Sequence, residues 1–170
     1  MSRRLLLGVA PALCFLEFIA SVTPINGKSM SPTLNPDTMR HDQRDWVLLD
    51  KFSTLRIGDV VTFTAPHDVN QTLVKRIVAT EGDIVYTRPH LFKYEYPGLE
   101  MERPPKVIKV PKGFCWVESD ESYRGIDSNV FGPVPLGLMH GRAAYVVWPP
   151  ERFGPVSAGK IRRGIEHVDR

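Results

Sequence analysis

The hydrophobic rhythm of the chain changes once, near residue 24. Ahead of that point Met1-Ser2-Arg3-Arg4 leads into a single apolar run from Leu5 to Val22, broken only by Pro11 and Glu17. As a helix, eighteen residues at 1.5 Å each would extend about 27 Å, close to the hydrocarbon thickness of a bilayer. Pro11 would kink that helix. Glu17 is costly in lipid unless it is paired, faces a neighbouring helix or lies near the interface. A membrane anchor over residues 1–24 is the favoured reading. A cleaved leader is disfavoured because Ala20-Ser21-Val22 is a poor small-x-small site, and a buried core helix is the other alternative. Arg3 and Arg4 would stay on the inner side, leaving everything after Val22 on the outer side.

After Pro24 the pattern turns to short runs rich in Val, Ile and aromatics: Trp46–Asp50, Asp59–Ala65, Thr72–Thr80, Asp83–Thr87, Lys106–Val110, Phe114–Glu118 and Ala143–Trp148. Gly, Pro, Asp and Asn separate them. No helical period of useful length occurs between Pro24 and Pro150. The pattern predicts a mainly β domain over residues 25–152. An irregular insert is expected at 88–105, with its four prolines. A basic tail at 153–170 is expected to be poorly ordered.

Composition narrows the function classes. Fifteen prolines and thirteen glycines agree with a loop-rich β fold. The net charge is only +3 and no Lys/Arg run exists, so nothing points to nucleic acid. Cys14 and Cys115 form no disulfide framework and no C-x-x-C. The five histidines have no partner at metal-ligand spacing. No metal and no cofactor are expected.

Three segments carry candidate chemistry. Gly27-Lys28-Ser29-Met30-Ser31-Pro32-Thr33 follows the apolar run closely, so it would lie near a membrane surface. A serine on a glycine-flanked turn can present its hydroxyl to a substrate; an ordinary turn is the plainer reading. In Leu73-Val74-Lys75-Arg76-Ile77-Val78, strand alternation puts Leu73, Lys75 and Ile77 on one face and Val74, Arg76 and Val78 on the other. A lysine amine among apolar groups loses solvation of its charged form. It can then take a proton from a serine hydroxyl, unless it is a snorkelling lysine on an edge strand. The third segment runs from Gly113 through Glu118-Ser119-Asp120 to Asp127-Ser128-Asn129 and Gly132-Pro133. Asp120 and Asp127 are either a carboxylate pair for acid/base work or loop-organising turn residues, the preferred reading.

In this order the segments resemble the type I signal peptidase family. That family's linear pattern is an anchor, a Ser-Met-x-Pro-Thr box, a Gly-Asp-Val-Val strand, a Lys-Arg strand ending Glu-Gly-Asp, and an Asp-Ser box ending Gly-Pro. All are present, including Gly58-Asp59-Val60-Val61 and Glu81-Gly82-Asp83, over about residues 11–150. Within the family the chain is similar to the mitochondrial inner-membrane branch, and more to its second subunit type than its first. The small domain, Asn129 where an arginine is usual, and the Trp148-Pro149-Pro150-Glu151-Arg152 ending suggest this.

The resemblance implies a signal-peptidase-like β-sheet or barrel domain behind a transmembrane helix. It implies a serine endopeptidase with Ser29 as nucleophile and Lys75 as general base. Gly27, Met30 and Pro32 would shape the nucleophile turn and oxyanion site. Arg76, Asp120, Asp127 and Ser128 would support the dyad. It further implies presequence-bearing protein substrates, a paralogous partner subunit, and a single-pass place in the mitochondrial inner membrane facing the intermembrane space. Two departures stand out. Gly27 occupies a position where many members have a serine that helps the oxyanion site. Gly125 occupies one where some members have a lysine-orienting serine, so Ser128 or packing alone would have to replace it. The other readings are a bacterial-type signal peptidase of a plasma membrane and a silent subunit that stabilises a partner peptidase. A Ser-His-Asp hydrolase lacks a G-x-S-x-G elbow and a well-placed histidine.

Overall fold

Alternating burial along the Val- and Ile-rich runs closes them into two antiparallel sheets. The structure, a computed structural model, describes residues 20–40, 42–88, 106–121, 125–159 and 163–168. Within them the strands are β1 (Ala20–Pro24), β2 (Trp46–Asp50), β3 (Val60–Ala65), β4 (Asp68–Thr80), β5 (Ile84–Tyr86), β6 (Val107–Lys109), β7 (Phe114–Glu118), β8 (Val134–Pro135), β9 (Met139–Trp148), β10 (Gly154–Pro155) and β11 (Ile165–Glu166). One short helix, α1 (Ser128–Phe131), follows β7. The larger sheet has the order β1-β2-β9-β3-β4-β7-β8, with β10 added to β9; the smaller has the order β11-β5-β6.

Each strand that borders the site has a local cause. In β2 the pattern buries Val47 and Leu49 and leaves Trp46 exposed. In β3 every residue except Thr64 is buried, as expected for a strand covered on both faces. Strand β4 starts earlier than the apolar pattern because the exposed Asp68–Thr72 stretch continues the hairpin with β3 before the chain enters the core. Strand β9 likewise starts at Met139, four residues before the expected Ala143. Its Gly141 allows the close approach: a β-carbon there would stand 2.8 Å from the Asp50 carbonyl oxygen.

The core lies in three patches on either side of β3 and β4. Ile25, Met30, Leu34, Val47, Leu49 and Val60 form most of the first. Val61, Phe63, Ile77, Cys115 and Val117 form most of the second. Trp116 with Val78, Val85 and Val110 forms most of the third.

Three expectations need adjustment. The last residues of the expected anchor, Ala20–Pro24, are a strand paired residue for residue with Asp50–Trp46. The rest of that expectation, including Glu17, lies outside the described residues, and among the described residues no helix is long and apolar enough to cross a membrane. Nearly all of the insert at 88–105 also lies outside them. The tail is not featureless: Gly154–Pro155 pairs with β9 and Ile165–Glu166 with β5. Ile165 packs on the third core patch, and the Val168 N–H donates to buried Asp83.

Candidate active site

Strand β4 supplies both cations of the site. Lys75 stands opposite Val61, and Arg76 opposite Val60 on one side and Glu118 on the other. Side-chain alternation sends them to opposite faces, and both are buried, at 3% and 2% exposure. The face assignment follows the apolar neighbours: Leu73 and Ile77 pack in the second core patch, Val74 against the first.

Lys75 Nζ donates to Ser29 Oγ at 2.8 Å, across 46 residues of sequence. The side chain that carries the amine is almost wholly buried. Ser29 sits on the turn after β1. Gly27 there has φ of +79°, a conformation glycine takes without strain. The turn is closed by Ser31 N–H to the Lys28 carbonyl and Leu34 N–H to the Met30 carbonyl. Met30, 2% exposed, plugs into the first core patch and so anchors the residue beside the hydroxyl. Pro32 is on the surface of the same turn.

Two polar knots fix the turn. In the first, Arg76 makes a bidentate pair with Asp120, Nε to Oδ1 at 2.8 Å and Nη2 to Oδ2 at 2.7 Å. Thr33 Oγ1 donates to Asp120 Oδ2 at 2.6 Å, and Glu121 N–H donates to the Ser29 carbonyl at 3.0 Å. The Asp120 loop is thereby tied to the Ser29 turn and to β4 at once. In the second knot, Asn35 and buried Asp45 exchange backbone and side-chain bonds, and Asn35 Nδ2 donates to the carbonyls of Ile25 and Gly27. Arg152 then joins Asp45 at 2.7 Å and donates to the Thr33 carbonyl.

Asp127 is a turn organiser. Its Oδ1 accepts from Asn129 N–H, capping α1, and its Oδ2 accepts from Ser119 N–H. Asp120 and Asp127 thus each have structural partners, as preferred over a catalytic carboxylate pair. Ser128 Oγ accepts from Val117 N–H at 3.0 Å. Its hydroxyl thereby braces β7 against the start of α1.

The Ser29–Lys75 pair lies between two openings. A cleft of about 580 Å³ on one side is lined by β1, Ser29, Leu49, Thr62, Thr72–Lys75 and His140. A smaller one of about 200 Å³ on the other is lined by Gly27, Lys28, Ser29, His67, Gln71, Lys75, Gly125 and Ile126. The hydroxyl and the amine are thus in contact and line both openings.

The model of the family described as signal peptidase, peptidase S26, matches residues 1–94. The chain belongs to the S26 signal peptidase family. It is similar to mitochondrial inner membrane protease subunit 2 of Mus musculus, 38% identical over 149 residues, covering 85% of this chain and 77% of the mouse protein. The protein of the same name from Danio rerio is 35% identical over 161 residues, covering 91% of this chain and 80% of its own. A crystal structure of a signal peptidase I from Enterococcus faecalis matches 53% of this chain and 97% of its own at 20% identity, with a TM-score of 0.41.

As a member of the S26 signal peptidase family the chain is a serine peptidase. Its departures from the family pattern have a visible setting. A β-carbon at Gly27 would meet nothing within 4 Å, so this side of the Ser29 turn is open. A β-carbon at Gly125 would stand 2.9 Å from Ser29 Cβ and 3.1 Å from Lys75 Nζ, so that backbone packs directly on the pair. Sequence reasoning gave no role to Asn35 and Asp45, and none beyond motif membership to Thr33 and Arg152, whose bonds hold the turn. Their partners lie up to 119 residues apart, and no local spacing announces them.

Proposed function

We propose that the chain is a membrane-bound endopeptidase that removes sorting presequences, with Ser29 as nucleophile and Lys75 as general base. The observation that carries this is the 2.8 Å contact between the Ser29 hydroxyl and a buried lysine amine. The neutral amine takes the hydroxyl proton as Ser29 Oγ attacks the scissile carbonyl carbon. The tetrahedral oxyanion is met by the Ser29 backbone N–H, with no side chain from position 27 to help. Collapse breaks the peptide bond, and the ammonium returns its proton to the leaving nitrogen. Water, deprotonated by the same amine, then attacks the acyl carbonyl and releases Ser29.

The substrate lies extended in the larger cleft, along β1, which among the described residues pairs with β2 alone. The residues before the cut face shallow walls and are small. The leaving segment exits past His67 and Gln71. The domain faces the intermembrane space behind a single anchor, and the names of its relatives favour the mitochondrial inner membrane and a paired subunit.

The test uses the full chain in lipid vesicles and a presequence-bearing precursor. Ser29→Ala and Lys75→Met should each lower cleavage by at least about a thousandfold while leaving circular dichroism unchanged. Wild-type cleavage by either variant overturns the assignment. A silent stabilising subunit would show no cleavage in the parent chain and no labelling of Ser29 by an acylating probe.

A further inference from the structure

Ser119 follows the last residue of β7 and is 4% exposed. Its N–H donates to Asp127 Oδ2, but its hydroxyl has no hydrogen-bond partner among the described residues. A buried hydroxyl in that state is unusual and calls for a reason. The geometry at Gly125 supplies one. A β-carbon placed there would stand 2.6 Å from Ser119 Oγ and 3.1 Å from Lys75 Nζ. The orphaned hydroxyl and the amine therefore both border the point that a side chain at Gly125 would occupy, and the glycine keeps that point free. The Asp127 carboxylate fixes the Ser119 backbone, so the hydroxyl is delivered from a rigid support rather than from a mobile loop.

We infer that Ser119 is the positioning residue for the Lys75 amine. This rests on the reading of Ser29 and Lys75 as nucleophile and base. On a rotation about its Cα–Cβ bond the Ser119 oxygen accepts one amine N–H and turns the nitrogen lone pair toward Ser29 Oγ. The neutral amine has two N–H bonds and one lone pair, so holding an N–H narrows the direction of the lone pair. Gly125 is then required because any side chain would fill the space in which the two groups meet. Ser119 touches neither substrate nor the bond being broken; it acts through Lys75.

The experiment follows cleavage of an internally quenched extended peptide, with alanine before the cut, by the full chain in vesicles across a pH series. Ser119→Ala should lower kcat about tenfold and leave KM unchanged. A hydrogen-bond acceptor favours the ammonium form, so its loss should also move the acidic limb of the kcat profile to lower pH. Ser119→Thr, which keeps the hydroxyl, should restore both rate and profile. Wild-type kcat and profile in Ser119→Ala overturn the inference. So does a fall in kcat with an unmoved acidic limb, or a Ser119→Thr variant that folds yet loses as much as Ser119→Ala. Ser29→Ala and Lys75→Met are run alongside. If they are dead while Ser119→Ala is unimpaired, only this inference fails; if either cleaves normally, the nucleophile–base reading itself has failed.

Discussion

Replacing Asp120 by alanine tests whether the Arg76 knot holds the site together. Arg76 is 2% exposed and Asp120 14%. Their pairing uses two guanidinium nitrogens, and the remaining Arg76 bonds go to the carbonyls of Gly58 and Ser157 and to Thr33 Oγ1. Asp120→Ala removes the only carboxylate among those partners and strands a cation in the core. Breaking a buried pair by deleting one partner costs about 3–5 kcal/mol. The partial exposure of Asp120 lets some water in, which favours the lower end. Against a total stability of about 5–15 kcal/mol, and at about 2–4 °C per kcal/mol for a domain of this size, the melting temperature should fall on the order of 10 °C. Asp120→Asn keeps an acceptor for one guanidinium N–H and should fall between. Arg76→Met with Asp120→Leu removes both charges and should lie much nearer the parent than Asp120→Ala. Thermal melts by circular dichroism read all three. A shift below about 2 °C for Asp120→Ala, the size expected for less than 1 kcal/mol, refutes the reasoning, because the guanidinium would then have found water or another partner without difficulty.

Two further outcomes follow from buried titrating groups. Burial pushes the Asp83 carboxyl up, but hydrogen bonds from Thr80 N–H, Val168 N–H and His167 outweigh it and hold the group below its ordinary 3.8. Its contribution to stability is therefore complete above that value and is lost as pH falls through the lower folded value. Asp83→Asn should flatten the dependence of the urea midpoint on pH from about pH 4 downward; equal slopes in variant and parent would count against it. Burial also pushes the Cys115 thiol up to about 12. At pH values near 8 it should resist iodoacetamide until the protein is unfolded in guanidinium, as read by mass spectrometry of the Cys115 peptide. Equal labelling of native and unfolded protein contradicts the burial.

The fold was legible wherever apolar residues alternate or cluster, and illegible where pairing rests on tertiary contact alone. Strands β2 and β7 fall on the expected residues because Trp46–Asp50 and Phe114–Glu118 each carry a strong local pattern. The two-residue strands β8, β10 and β11 have too little sequence to hold a period, and they exist because a neighbour offers an edge. Strand β1 was hidden differently. Ala20–Pro24 ends an apolar run long enough to suggest a helix, yet its backbone pairs with β2 through five successive residues. Hydrophobicity alone cannot separate a strand that continues such a run from the run itself.

The candidate site divides along the same line. Ser29 and Lys75 could be singled out as candidates because each has a local mark: a glycine-flanked turn for one, a cation in the middle of an apolar strand for the other. What brings them together is not local. Arg76 and Asp120 lie 44 residues apart, Arg152 and Asp45 107 apart, and both knots converge on the same turn between Gly27 and Asn35. That convergence has a physical reason. Keeping the Ser29 hydroxyl 2.8 Å from a buried amine takes a fixed backbone, and a surface turn cannot hold that placement by its own hydrogen bonds alone. Met30 in the core fixes one side of the turn, Asp120 and Glu121 a second, and Asn35 with Asp45 a third. The arrangement at one turn thus needs support from β4, the loop after β7 and the start of the tail, which explains why residues to which no motif assigned a role, Asn35 and Asp45 among them, carry so much of the site's geometry.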